Sequence, residues 1–212
     1  MQAQQEFGPT ILILSPLNIN VDGQLKAEIE VSDRRIKDEA KQRLDLERPF
    51  SKAMKSEPEN IKIMEKKTGL FSKKIDFYSS MSYILSEYLQ FKMLERFPAL
   101  LIYPDHQVSA GDTTELQTIA DKQHMRFVLN PQEMNLNIVD EKKVSKIRIQ
   151  LYDAAQHAII LDKFYEGNDK NPGGDWNCDI GSVDCMLNTA LASSIKDVFD
   201  AMFPKKAPAK KK

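Results

Sequence analysis

The 212-residue chain holds two cysteines, one tryptophan and three histidines, and each scarcity closes off some chemistry. Two cysteines, seven apart with no further thiol, do not by themselves complete a tetrahedral zinc site. His106, His124 and His157 read as residues of a loop, a helix end and a hairpin turn, with no nucleophile motif beside them. There is no Gly-x-Ser-x-Gly, no glycine loop of the phosphate-binding kind and no His-x-x-x-His pair. Gly173-Gly174 precedes Asp-Trp rather than a helix. The histidines therefore read as solvated, and the sequence predicts no catalytic residue, no metal site and no cofactor: the chain is not expected to be an enzyme. No apolar run is long enough to span a bilayer as a helix. Met1-Gln-Ala-Gln-Gln-Glu-Phe7 lacks the basic start and apolar stretch of a signal peptide. It fits either a mature start after a removed signal, with Met1 added, or a natural cytosolic initiator.

With 42% hydrophobic residues the chain can bury one sizeable core, and a single domain over 1–204 is expected. The formal charge of -1 conceals an asymmetry. The tail 205–212 holds five lysines and no acid, and should be disordered. Without those five, 25 basic residues face 31 acidic ones, a charge of -6. An acidic body argues against nucleic acid as the main ligand, because phosphate binding needs a basic surface.

The chain is organised around residues 112–167. Asp112-Thr-Thr-Glu115 reads as a capping box in which Glu115 reaches back to the Asp112 amide. Leu116, Ile119, Ala120 and Gln123 then share a helical face. After Arg126 the period drops to two. Phe127-Val-Leu129 opens a strand that continues through Met134, Leu136 and Ile138 past Pro131. Ile147, Ile149 and Leu151 alternate with Lys146, Arg148 and Gln150, and Ile159, Leu161 and Phe164 carry a third strand. Asp140–Lys143 and Asp153–His157 supply the turns. Two hairpins with one apolar face make a meander that helices must cover.

This order of elements resembles the second half of the TolB amino-terminal-like fold, which also includes LpoB-type penicillin-binding-protein activators and CsgG-type secretion lipoproteins. There a helix leads into a meander whose middle strand ends in a "V.L.D..TGE" pattern. Ile119-Ala120, Phe127-Val128-Leu129 and Ile149-Gln-Leu-Tyr-Asp153 occupy the corresponding places. Asn130-Pro131 replaces a small residue and glycine, and Gln156-His157 replaces Thr-Gly. The likeness covers residues 9–20 and 79–203. It implies an α/β (α+β) fold of the anticodon-binding/TolB-N-like kind. One mixed sheet of about five strands carries packed helices, with a charged insertion after the first strand.

Pro9 to Ile19 reads as a buried opening strand broken by Pro16, and Asn18–Gly23 as a turn cluster. Residues 24–78 read as the insertion, with a solvated helix from Ser32 to Glu47 capped by Ser32. Residues 79–97 make a strong helix through Met81, Ile84, Tyr88 and Phe91, and Ala99–Tyr103 a second buried strand. A final helix over 185–202, capped by Ser182 or Asp184, presents Leu187, Leu191, Ile195, Val198 and Met202.

Residues 166–184 are the least periodic part and carry Trp176 with both thiols. Cys178 and Cys185 form either a disulfide, as suits an oxidising compartment, or two unconnected thiols. Asp175-x-Asn177-x-Asp179 repeats the opening of a calcium loop, but Ile180 stands at the turn glycine and Met186 at the closing carboxylate. A plain Asn/Asp-rich loop is expected instead. Trp176, with Asp175 and Asn177, is either a lid over the core or part of a partner-binding surface.

Two function classes follow. The resemblance implies a non-catalytic accessory protein of the bacterial envelope, periplasmic or outer-membrane-associated, that binds a protein partner. Its membrane attachment would come only from a removed signal or a lipid anchor, and oligomers are compatible with it. The alternative is a cytosolic regulatory or scaffold domain sharing the α/β pattern.

Overall fold

The computed structural model describes residues 10–32, 34, 35, 38, 102–105 and 108–204. The expected helix over 79–97, most of the 24–78 insertion, His106 and the lysine tail lie outside the described residues. Six strands form one sheet: β1 (Ile11–Leu14), β2 (Asn18–Val21), β3 (Ile102–Asp105), β4 (Phe127–Val139), β5 (Lys142–Asp153) and β6 (Ala158–Asn168). The order is β3-β1-β4-β5-β6, and β2 also pairs with β4. Since β1 and β2 lie end to end along β4, six strands fill five positions. β1 is parallel to β3 and β4, and the β4-β5-β6 meander is antiparallel. This is the α+β mixed sheet that the sequence predicts.

Two helices sandwich part of this sheet, α1 (Thr113–Gln123) on one face and α2 (Val183–Met202) on the other. β1 is buried at all four positions because both of its faces are covered. Ile11 and Ile13 join the larger cluster with Leu129, Ile149, Leu187 and Leu191. Leu12 and Leu14 join the smaller one with Val128, Tyr152, Leu116 and Ala120. A continuous apolar run is the sequence signature of such a strand.

β4 changes side partway along. Phe127 and Leu129 face α2, but beyond the register shift between Pro131 and Glu133 it is Met134 and Leu136 that do so. Proline fits a sheet only at an edge or a bulge, and here it sits at the bulge. The neighbouring strand breaks at the same level. β1 stops before Ser15-Pro16, Ser15 N–H donates to Val108 O (2.9 Å), and Leu17 N–H donates to Pro131 O (3.1 Å). β2 then resumes opposite Glu133–Leu136. Residues 18–21 are therefore a strand, not the expected turn cluster; Ile19 and Val21 alternating with two asparagines is a period-two pattern in miniature.

Two local expectations are corrected, and one side-chain direction is settled. Asp112 caps α1 as expected, its carboxylate accepting from Glu115 N–H at 2.9 Å, but Glu115 reaches Gly111 N–H (2.6 Å) instead of the Asp112 amide. The helix after β2 begins at residue 26, straight after the 3-10 turn Gly23–Leu25, so Ser32 lies inside it and not at its start. Its Leu25 and Ile29 side anchors this segment in the larger core. On β6 the buried aromatic is Tyr165, not Phe164. From Leu161 onward the odd positions face α2, which turns Phe164 outward with Asp162 and Glu166.

Left-handed backbone appears where glycine is scarce. The β4–β5 hairpin turns on Asp140 and Glu141 alone, both at positive φ (50° and 62°), as a two-residue turn with two such residues requires. His157 (φ 52°) stands where the resembled pattern has glycine. The buried Asp153 carboxylate organises that second turn: it accepts from Ala155 N–H (3.0 Å), the Gln156 side chain (2.7 Å) and Arg126 (2.8 Å). One glycine is dictated by packing. A Cβ on Gly167 would lie 2.0 Å from Met186 O and 2.4 Å from Ser145 Oγ. Ser145 itself donates to Met186 O at 2.7 Å, so α2 is seated directly on this cross-strand pair.

Candidate functional site

The sequence directs attention to the loop after β6. Cys178 and Cys185 are joined, with Cα atoms 5.2 Å apart. The bond ties the loop to the first turn of α2, whose start is held twice more. Ser182 Oγ accepts from Cys185 N–H (3.2 Å), and Glu28 Oε1 accepts from Val183 N–H (2.9 Å). Lys143 bridges Glu28 (2.5 Å) and the Gly181 carbonyl. Asn171 pins the loop interior by donating to Cys178 O (2.7 Å) and Asn177 Oδ1.

Trp176 ends the short 3-10 turn Gly174–Trp176, is half-buried, and packs against the larger core. The backbone at Asp175 lies in that turn, and its side chain is outside the described residues. Asn177 is exposed, but its side-chain oxygen is engaged by Asn171. Among the described residues no three His, Cys, Asp or Glu side chains converge as metal ligands. The exposed apolar residue of this loop is Ile180, 79% accessible, which the sequence reading did not single out.

The other surface is the face of the meander that α1 does not reach. α1 ends its coverage at Tyr152, whose hydroxyl donates to Gln117 at 2.5 Å; His157 Nδ1 meets the same oxygen at 2.8 Å. Beyond that point the face consists of cross-strand rows set by the register. Glu133, Arg148 and Phe164 stand side by side, as do Asn135, Lys146 and Glu166. Opposite charges thus sit on neighbouring strands, the arrangement that stabilises a sheet surface. Arg148 forks onto both oxygens of Asp162 (2.8 and 2.6 Å), and Gln150 adds a third bond to it at 3.1 Å. The hydrogen bonds with Arg148 hold the Asp162 carboxyl below its usual range and raise the guanidinium in turn. Asn20 donates to Asn135 (2.9 Å), and Asn135 to Glu133 (2.6 Å).

Phe164 is the aromatic centre of this face and is 42% exposed. Lys146 Nζ lies 4.8 Å from its ring centroid and the Arg148 guanidinium 5.8 Å, within the range of cation–π attraction. The sequence reading placed Phe164 in the third strand, where it lies, without assigning it a side. Its outward direction was legible only by counting strictly in twos from Leu161, so that Leu161, Lys163 and Tyr165 share a face.

Fold and surface together define an α+β protein with one open mixed sheet, clad by the described residues on both faces at one end and on a single face at the other. No family model and no curated protein matches the chain. Among solved structures it is similar to the hypothetical protein CT253 from Chlamydia trachomatis, at 11% identity over 93% of this chain and 99% of that one, with a TM-score of 0.48. It is also similar to the PelC dodecamer from Paraburkholderia phytofirmans (10% identity, 94% and 90% covered, TM-score 0.38). The LpoB C-terminal domain from Escherichia coli is a further neighbour (13% identity, 77% and 86% covered, TM-score 0.26). At these identities and scores the likenesses carry no argument about what this chain binds or does.

Proposed function

We infer that this chain is a non-catalytic accessory protein, working outside the cytosol, that binds another protein through the bare half of its sheet. The observation that carries the reading is that face: three strands wide, half-buried on β4 and exposed along β6, with two cations against the Phe164 ring. Its polar groups are occupied with one another, as in the Arg148–Asp162 fork and the Asn20–Asn135–Glu133 chain. Such a surface suits recognition, in which an aromatic anchor and a polar surround exclude water together. The location outside the cytosol is supported by the Cys178–Cys185 bond, since disulfides persist in oxidising compartments. The bacterial envelope, with a cell-wall synthase, secretion channel or similar assembly as partner, is the setting that the sequence resemblance favours.

The test has two arms in the native cell. Rapid acid quenching and thiol alkylation should find Cys178 and Cys185 oxidised; a reduced pair would return the protein to the cytosolic scaffold reading. A photo-crosslinking amino acid at position 164 should yield one discrete adduct with a second protein. If no adduct forms there while one forms at the exposed Ile180 loop, the binding surface is the disulfide-pinned loop instead.

A further inference from the structure

The outer edge of β6 carries more information than the face alone. It is the last strand of the order β3-β1-β4-β5-β6, and among the described residues no strand pairs with its free side. Proteins usually blunt such an edge with a short strand, proline, bulges or an outward lysine. β6 runs for eleven residues, contains no proline, and has its single register shift near its start, between Ile159 and Leu161. Its one lysine does not guard it: Lys163 is drawn onto α2, 2.6 Å from Asp197 and over the Tyr165 ring. Leu161–Gly167 therefore offers a regular backbone whose outer side no strand pairs among the described residues.

The side chains of that edge discriminate between occupants. A second copy adding its own β6 antiparallel about the midpoint sets Lys163 against Lys163. Sliding by two residues sets Asp162 against Asp162 or against Glu166. Like charges directly opposite destabilise a strand pair, so the most extensive two-fold registers are all opposed. A different strand laid along the same edge has Asp162, Phe164 and Glu166 as its immediate neighbours on the bare face. Strands lie about 4.8 Å apart, so these acids stand nearer the newcomer than Lys146 and Arg148; the Arg148 fork offsets part of the Asp162 charge and leaves Glu166 the stronger attraction.

We propose that the β6 edge accepts an extended segment of a partner protein with a basic–x–apolar–x–basic pattern, adding it as the next strand of the sheet. The apolar residue seats beside Phe164 and the two cations beside Asp162 and Glu166. Main-chain bonds supply the attachment and the alternating side chains the selectivity. The proposal rests on the reading above that the bare half of the sheet is a binding surface, and specifies which chemistry it takes.

The experiment uses the full chain and two synthetic nonapeptides. One carries Lys, Val and Lys at alternate positions in a threonine background; the other has Glu in place of both lysines. Amide hydrogen exchange followed by NMR should show alternate amides of residues 161–167 slowed by the lysine peptide, with the rest of the chain unchanged. The lysine peptide should bind about two- to fivefold more tightly than the glutamate peptide for each ion pair gained, and Glu166→Lys should at least cancel that preference. Absence of protection on β6 with either peptide, or a preference that Glu166→Lys leaves untouched, overturns strand addition. A position-164 crosslink obtained alongside that failure would preserve the binding face and discard only the strand; loss of both would discard the reading itself.

Discussion

The two ends of the sheet differ in what covers them. At the β1 end, α1 and α2 enclose both faces, and Ile11 to Leu14 are buried without interruption. At the far end the described residues cover one face only, with α2 and the helix that begins at residue 26, and β5 alternates between buried Ile147 and Ile149 and the more open Lys146 and Arg148. The change falls at one level, where Pro16 breaks β1 from β2 and Pro131 enters the β4 bulge. Folding uses every side chain of the first end and every second side chain of the other. The unused set is therefore free to carry recognition, and Phe164 belongs to it.

Substitutions at adjacent positions separate the two ends most sharply. Leu12→Ala and Ile13→Ala should each cost about 2–5 kcal/mol, because both faces of β1 are core. At the far end Ile147→Ala should cost a similar amount while Lys146→Ala stays within about 0.5 kcal/mol. Denaturant midpoints of the four variants check this, and equal losses at 146 and 147 would mean that the far face is covered too. Next comes Gly167→Ala. Its Cβ would meet the Met186 carbonyl and the Ala190 amide of α2 as well as Ser145 Oγ, and the backbone cannot yield as a side-chain tip does, so a loss of about 3 kcal/mol is expected, at the upper end of overpacking costs. In the opposite direction, Glu141→Gly should stabilise by about 0.5–1 kcal/mol by relieving a left-handed residue in the β4–β5 turn.

Acid should act on the far end specifically. Asp162 and Asp197 both hold carboxyl groups below the usual range, the first through hydrogen bonds with Arg148 and the second through its hydrogen bond with Lys163. A carboxyl depressed in the folded state stabilises fully above the unfolded value of about 4, and that contribution is lost as pH falls through the folded value. Partly exposed pairs are screened, so the effect is small. Asp162→Asn should flatten that part of the acid slope in melting temperature. An unaltered slope would show that the fork contributes nothing.

What the sequence disclosed follows the same division. The change of period at Arg126 locates β4 to β6, and Leu187, Leu191, Ile195, Val198 and Met202 mark the buried side of α2, because burial on one side leaves a periodic trace. β2 escaped notice since four residues rich in asparagine resemble a turn, and their pairing comes from β4, more than a hundred residues away. The direction of Phe164 was obscured by the register shift at Leu151/Tyr152, which interrupts simple alternation from Ile159. Trp176, Asp175 and Asn177 were legible as an irregular loop, but the packing of Trp176 against the larger core favours a lid role for that ring. The exposed apolar residue there, Ile180, stood in the sequence as a mismatch to a calcium loop and not as a surface feature.

The account turns on the bare end being used for binding and not for stability. Phe164→Ser tests this most directly, with the melting temperature and the crosslinked or co-purified partner measured on the same preparation. With Phe164 already 42% exposed, the loss of stability should be about 1 kcal/mol, the size of its cation–π contacts and well below a core truncation, while partner recovery per folded molecule falls to background. A drop in melting temperature the size of a core truncation's, with partner recovery intact, would contradict the account and make Phe164 a misjudged part of the core.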